Sequence, residues 1–397
     1  MFFLFMFSAV FIALGVILYI MNIIVGHSND NYPSPKNKLE PKICILITVK
    51  DNEKYIRSVL NSITKQTHYV DMKDVYIMLE NDSDNIFNLI KEYNFNLYVK
   101  KWETPNRRGY ALDELVRNIL EKKKYYDMYI VLDEDTILDD KYVEKMVESY
   151  NKGYDIAVGY KNNINSKLNI TETCGGLFLT SFNSTTNKNR TKKSLNITIL
   201  DSGYFISGDL IEIFKGFPFH SLNENYELSV VSAINNFKTG YNEEAIYFSS
   251  ETSKHKTSIN ERAKQIKGYF FIRHKYKKEL QELIKRDYYN YGSVFNIYIT
   301  LVPLLLIFIG VNLILITSIC SSIYFYITNV QEFRLYLFIT ILTLFSVYII
   351  LVLYTIFILL KEGKKINLSL GSKLKAVFLY PFYLLSYVNA TIKSYFI

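Results

Sequence analysis

The chain has 397 residues, with 46 Lys and Arg against 38 Asp and Glu, so it carries a formal charge of +8. That length suits one large or two smaller folded units with a proper core, and an aromatic fraction of 16% with a near-average charged fraction of 21% excludes a disordered chain. The basic excess does not indicate a nucleic-acid binder, because no recognition motif accompanies the Lys and Arg residues.

The first element is an uncharged apolar run from Phe2 to Val25. It is long enough to cross a hydrocarbon core of ~30 Å. Only Met1 precedes it and no small-residue cleavage site follows, so a retained anchor over residues 1–26 is expected rather than a signal peptide. Residues 27–40 hold Pro33 and Pro35 and read as a linker.

From residue 41 short apolar runs alternate with helical periodicity, the pattern of a mostly parallel α/β sheet. Ile43–Thr48 is predicted as a buried strand, and Asn52–Thr64 as a helix burying Ile56, Val59, Leu60 and Ile63. Val75–Leu79 and Leu97–Val99 are further strands, Ala111–Leu120 a helix, and Met128–Leu132 a strand that runs into Asp133-Glu134-Asp135. The stretch from Asn162 to Asn196, rich in Asn, Ser, Thr and Lys, is expected to be a surface insertion around a buried Gly175-Gly176-Leu-Phe piece. Cys44, Cys174 and Cys320 show no metal spacing and are expected as reduced packing residues. Triplets such as Asn169-Ile-Thr171 and Asn196-Ile-Thr198 are read as chance rather than glycosylation sites.

Two more uncharged runs, Val294–Ser318 and Leu335–Leu360, are predicted spans. Residues 376–397 are apolar and aromatic but contain Pro381 and Lys393, and read as an interfacial or re-entrant helix. Lys and Arg follow the first and third spans and precede the second, whereas the 319–334 loop holds only Glu332 and Arg334. The positive-inside rule then predicts a multi-pass protein of the cell membrane, its polar part cytoplasmic and its basic flanks against anionic lipid.

Four polar clusters fall at predicted strand ends or helix starts on one sheet edge, where open α/β sheets bind ligands. They are Val49-Lys-Asp51-Asn-Glu53, Glu80-Asn-Asp82-Ser-Asp84, Arg107-Arg108-Gly109 and Asp133-Glu-Asp135. Carboxylates there can hold ribose or base groups, and Arg108 at a helix N-terminus can meet a phosphate. Asp133 and Asp135, spaced i, i+2 at a strand end, can face one point and suit Mg²⁺ or Mn²⁺.

Three runs carry a resemblance: Arg107-Arg-Gly-Tyr-Ala-Leu112, Tyr129-Ile-Val-Leu-Asp-Glu-Asp135 and Gly216-Phe-Pro-Phe-His-Ser-Leu-Asn-Glu-Asn-Tyr-Glu-Leu228. Over about residues 41–280 the chain resembles membrane-anchored bacterial family 2 glycosyltransferases of GT-A fold, related to cellulose and poly-N-acetylglucosamine synthases. The resemblance implies a GT-A nucleotide-diphospho-sugar transferase domain over 41–290, followed by a C-terminal membrane region over 291–397. It implies nucleotide-sugar binding by Val49, Asp51, Glu80, Arg108 and Asp133, with Asp51 and Glu80 at the uridine. It also implies a divalent metal, Mg or Mn, on Asp133 and Asp135, and an acceptor side at Ser202, Gly203, Gln265 and Tyr269.

The implied reaction is inverting transfer from a UDP-sugar to a lipid-linked or polysaccharide acceptor. The family's general base falls in a T-E-D run, which here reads Asn223-Glu224-Asn225. An amide cannot accept that proton, so Glu224 and Asn225 are the catalytic positions and Glu224 the only carboxylate among them. The family's Q-x-x-R-W run reads Gln265-Ile-Lys-Gly268-Tyr269, without the arginine. The competing reading is a catalytically impaired paralogue that binds nucleotide-sugar or glycan beside partners in a synthase complex.

Overall fold

None of the seven residues of β1 (Ile43–Val49) is charged, and all seven are buried. Such a run suits the middle of a parallel sheet covered on both faces. The computed structural model describes residues 2–24, 33–36, 40–50, 53–80, 84–93, 95–100, 104–105, 107–165, 169–286, 291–328 and 330–397. β1 pairs in parallel with β2 (Val75–Leu79) and β4 (Met128–Asp133), and β2 pairs in parallel with β3 (Asn96–Val99). Parallel neighbours need crossovers, supplied by α2 (Glu53–Thr64), α3 (Asp84–Lys91) and α4 (Arg108–Glu121). Ile56, Val59, Leu60 and Ile63 of α2 are buried on the sheet, as their spacing predicts.

Beyond β4 the sheet becomes mixed. β7 (Tyr204–Ser207) runs antiparallel to β4 and to β6 (Ile156–Asn163), while β8 (Thr239–Ser249) is parallel to β6 and antiparallel to β5 (Ile137–Leu138). The strand order is β3-β2-β1-β4-β7-β6-β8-β5. Alternate residues of β1 enter opposite cores, Ile45 and Ile47 on one face and Cys44 and Leu46 on the other. α5 (Tyr142–Asn151), α8 (Gly208–Phe214) and α9 (Glu224–Ile234) complete the sheet's cover.

The stretch from Asn162 to Asn196 is not a surface insertion. It forms the end of β6, α6 (Ile170–Phe182), a π-turn (Asn183–Asn187) and α7 (Lys188–Lys192). Asn183, Ser184, Thr186, Asn187, Arg190 and Asn196 are all buried. Several of their polar groups are paired: Asn187 Nδ2 donates to Asn183 Oδ1 and to the Thr198 carbonyl, both at 2.8 Å, and Arg190 Nη1 donates to Thr198 Oγ1 at 2.6 Å. Burial with satisfied hydrogen bonds explains a polar composition that looked solvent-facing. Both Asn-x-Thr triplets serve the fold, since Asn169 caps α6 with Glu172 in a capping box, and Asn196 Nδ2 bonds the Phe237 carbonyl at 2.7 Å.

Three helices among the described residues are long and apolar enough to cross a membrane: α1 (Phe2–Ile24) and, after α10 (His255–Lys275), α11 (Lys277–Arg286) and α12 (Tyr291–Tyr298), the pair α13 (Val302–Thr328) and α14 (Val330–Glu362). The second span therefore differs from the predicted 294–318. The helix breaks after Tyr298, and Pro303 lies in the first turn of α13, where its missing N–H costs no hydrogen bond. Of the predicted 319–334 loop, the described residues 319–328 and 330–334 are helical. Residues 319–328 are uncharged, and Ser321 and Ser322 return their hydroxyls to the carbonyls four residues back, so nothing ends the helix before Thr328. The C-terminal stretch forms α15 (Leu370–Leu385), with Pro381 inside it, and α16 (Tyr387–Ser394).

Candidate active site

The carboxyl ends of β1, β2 and β4 and the start of α4 open on one cavity of about 290 Å³. It is lined by Thr48, Lys50, Glu80, Arg107, Arg108, Asp133, Glu134 and Asp135. Parallel strands deliver their ends to one edge, which is why Thr48 and Asp133, 85 positions apart, converge here. Asp133 and Asp135 also form part of a second cavity of about 380 Å³, which reaches Lys161, Asp201, Asn223, Glu251, Arg262 and Gln265. The acidic pair is thus the wall common to both.

Each carboxylate of the pair is held by one oxygen. Asp133 Oδ1 accepts from Arg108 Nε at 2.5 Å and from Thr48 Oγ1 at 3.2 Å. Asp135 Oδ2 accepts from the Ser250 N–H at 3.0 Å, from Ser249 Oγ at 3.3 Å and from Ser250 Oγ. Asp133 Oδ2 and Asp135 Oδ1 accept no hydrogen bond among the described residues. Burial pushes the Asp135 carboxyl above the usual carboxylate range, against the pull of Ser250 and Lys161. No group of three or more His, Cys, Asp or Glu forms a ready metal cage among the described residues. Two open carboxylate oxygens do fit Mg²⁺ or Mn²⁺, which take one or two carboxylates and draw the remaining ligands from phosphates and water.

Arg108 crosses the top of this edge. Besides Asp133 it donates from Nη1 to Glu224 Oε1 at 2.9 Å and to Asn225 Oδ1 at 3.3 Å. Burial alone would lower its pKa, but Asp133 and Glu224 outweigh that and keep the guanidinium charged. Glu224 and Asn225 open α9, whose N-cap is Asn223, accepting from the Tyr226 N–H at 3.2 Å. Glu80 lines the smaller cavity at 8% exposure. Its burial raises its carboxyl pKa, and Lys50 and Lys100 only partly offset this.

Other expected site residues are placed differently. The Val49 side chain is in the core, and only its backbone reaches the edge, its carbonyl accepting from the Glu80 N–H at 2.8 Å. Asp51 lies outside the described residues. Ser202 is buried with its hydroxyl 2.9 Å from that of Thr136, and Gly203 takes φ +72° beneath the Tyr247 ring, so neither lines a cavity while their neighbour Asp201 does. Gln265 lines the larger cavity. Tyr269 does not: it is fully buried, its hydroxyl donates to the Tyr298 carbonyl at 2.9 Å, and its ring lies 4.7 Å from that of Tyr226. Tyr269 faces inward because α10 turns that side toward α9 and α12.

Charged groups of the larger cavity, among them Lys161, Glu251 and Arg262, were missed by sequence reasoning. Lys161, only 5% exposed, sets its ammonium 2.5 Å from Asp201 Oδ2 and 2.6 Å from Glu251 Oε1. Burial alone would lower its pKa, and the two carboxylates reverse that. A lysine inside the otherwise apolar run Ile156-Ala-Val-Gly-Tyr-Lys161 was the available signal, since a buried lysine needs a partner. Arg262 of α10 stacks its guanidinium 4.3 Å from the Tyr383 ring and 4.6 Å from the Tyr387 ring, closing the cavity with α15 and α16.

The fold is similar to that of mannosyltransferase PcManGT from Pyrobaculum calidifontis, solved with GDP-Man and Mn²⁺. That match has a TM-score of 0.55 at 11% identity and covers 86% of this chain and 95% of the other. Weaker similarity extends to glucosyl-3-phosphoglycerate synthase from Mycobacterium tuberculosis, solved with Mn²⁺, UDP and glucosyl-3-phosphoglycerate. There the TM-score is 0.40 at 13% identity, covering 58% of this chain and 80% of the other. For S. aureus TarS the TM-score is 0.38 at 14% identity, over 62% and 40% of the two chains. No curated protein matches the sequence. The sequence does match Glycosyl transferase family 2 over residues 44–210. It also matches Glycosyl transferase family group 2 over residues 129–360, more than half of its length, and with a GT-A-like mixed sheet beneath that match the chain belongs to this glycosyltransferase family.

Proposed function

We propose that this protein is a membrane-anchored, cytoplasm-facing inverting glycosyltransferase that moves a sugar from a UDP-sugar to a lipid-linked or surface-glycan acceptor. The observation that carries the reading is the Asp133/Asp135 pair as the wall shared by two cavities. The smaller one, with Glu80 and Arg108, is the nucleotide side, and the larger one receives the acceptor.

Asp133 and Asp135 are the residues that would hold a divalent ion, each having a carboxylate oxygen free of hydrogen bonds among the described residues. When bound, the ion neutralises charge on the departing diphosphate. Arg108 and Thr48 fix Asp133, while Ser249 and Ser250 fix Asp135, so both carboxylates are oriented before donor arrives. Glu80 accepts from the base or ribose. Apolar helices packed on α6, α15 and α16, whose residues line the larger cavity, favour an amphiphilic acceptor, and the Lys and Arg near them favour a cytoplasmic site.

A second reading is favoured by Asn225, an amide where the family carries its base: a catalytically impaired paralogue that binds donor or glycan within a synthase complex. UDP release by the purified full chain with Mn²⁺, across UDP-sugars with GDP-mannose as comparison, separates the two. Turnover by wild type that Asp135→Ala abolishes supports the enzyme. A silent wild type, with activity gained by Asn225→Asp, supports the impaired paralogue. Absence of metal-dependent UDP binding removes the donor assignment.

A further inference from the structure

In an inverting displacement the acceptor oxygen arrives opposite the leaving group, so the base that takes its proton belongs on the acceptor side of the sugar. The groups at the family's base positions are not there. Glu224 Oε1 and Asn225 Oδ1 lie 2.9 and 3.3 Å from Arg108 Nη1, and Arg108 lines the nucleotide-side cavity. Neither Glu224 nor Asn225 lines the larger cavity.

Glu251 does line it. It follows Ser250, whose N–H and hydroxyl hold Asp135, so a single peptide unit separates the group gripping the acidic pair from Glu251. Lys161 occupies its Oε1 at 2.6 Å. Its Oε2 accepts no hydrogen bond among the described residues, and Gly175 leaves that oxygen room: a Cβ at position 175 would stand 2.8 Å from it. Around Glu251 are Lys161 on β6, Asp201 before β7, Asp135 after β4, Arg262 on α10, and the Tyr383 and Tyr387 hydroxyls of α15 and α16. Burial raises the Glu251 pKa and Lys161 opposes it.

We propose that Glu251 is the general base of this enzyme, held in place by Lys161. The assignment rests on the nucleotide-sugar reading above. The acceptor O–H gives its proton to Glu251 Oε2 as the oxygen bonds the anomeric carbon. The bond from that carbon to the diphosphate oxygen breaks, and UDP leaves with the electron pair.

The test uses the full chain with Mn²⁺, the UDP-sugar giving the most UDP release, and two probe acceptors. Water must lose a proton on transfer, whereas azide carries none. Glu251→Gln is expected to lower UDP release into water by roughly 10²–10⁴-fold, while sugar azide formation and Mn²⁺-dependent UDP binding stay near wild type. Equal loss with water and azide would show a structural role and overturn the assignment, as would retention of both. A wild type that binds UDP but is inert, beside an active Asn225→Asp, would return the base to position 225 and overturn it too. A wild type that binds no UDP defeats the donor reading itself, and the base assignment falls with it by a separate, recognisable failure.

Discussion

Glu80 shows how a single residue of the candidate site can cost the fold stability. It stands at a strand end at 8% exposure, and burial raises its carboxyl pKa in the folded chain. Below the unfolded-state pKa of about 4.3 both states hold the proton, and Glu80 costs nothing. As pH rises through the higher folded pKa, the folded chain must bury a charge and loses stability relative to the unfolded one. Glu80→Gln should therefore match wild type in melting temperature near pH 4 and exceed it near neutrality, a gap that thermal scans across that window measure. The same variant should bind UDP less tightly. A neutral hydrogen bond would replace a charge-assisted one, weakening binding by roughly 1 kcal/mol or about fivefold. Titration calorimetry reads that loss, and tighter binding would contradict a donor-side role for Glu80.

At the level of elements, the sequence was legible where hydrophobic pattern decides. β1, α2 and β4 fall within a residue or two of their predicted bounds, because an all-apolar strand and an i, i+3, i+4, i+7 face each have one reading. The edge bearing Glu80, Arg108, Asp133 and Asp135 was legible for the same reason, since parallel strands place their ends together. Residues 162–196 were not, because Asn, Ser and Thr look alike whether solvated or buried and bonded. The Lys161–Glu251 pair was hidden by a separation of 90 residues, which no local spacing reveals.

The missing arginine at Gly268 acquires a structural reason. A Cβ there would stand 2.8 Å from Asn223 Cβ and 3.0 Å from Asn223 N, so α10 lies directly on the turn that caps α9. Restoring the arginine by Gly268→Arg should disturb that cap rather than recover function. We expect about 1–3 kcal/mol of destabilisation from overpacking and lower transfer, since Asn223 lines the larger cavity, with UDP binding unchanged. Gly268→Ala should show much of the stability loss in the same melting assay.

Across the whole molecule, the apolar helices pack on one another and share a core with α6 and α10 of the α/β part, and some of these contacts are specific. α1 and α13 approach through small residues: a Cβ on Gly310 would stand 2.9 Å from the Ser8 carbonyl, and one on Gly15 would stand 2.8 Å from that of Pro303. α15 and α16 are held by Arg262, whose guanidinium faces two tyrosine rings and donates to Ser386 Oγ at 3.0 Å. A desolvated cation–π contact is worth about 2 kcal/mol, and Arg262 makes two. Arg262→Ala should thus loosen α15 and α16 from α10 while sparing the sheet edge. Among the described residues, none beyond Asp135 lines the smaller cavity, so Mn²⁺-dependent UDP binding, which we assign to that side, should persist. The larger cavity loses its cover of Arg262, Tyr383 and Tyr387, so transfer should fall. Limited trypsin digestion reports the loosening directly: Lys364 and Lys365, both exposed in the turn between α14 and α15, should be cut faster than in wild type. Unchanged cleavage together with lost UDP binding would mean that Arg262 supports the nucleotide side instead, and the division of the site into two cavities would need redrawing.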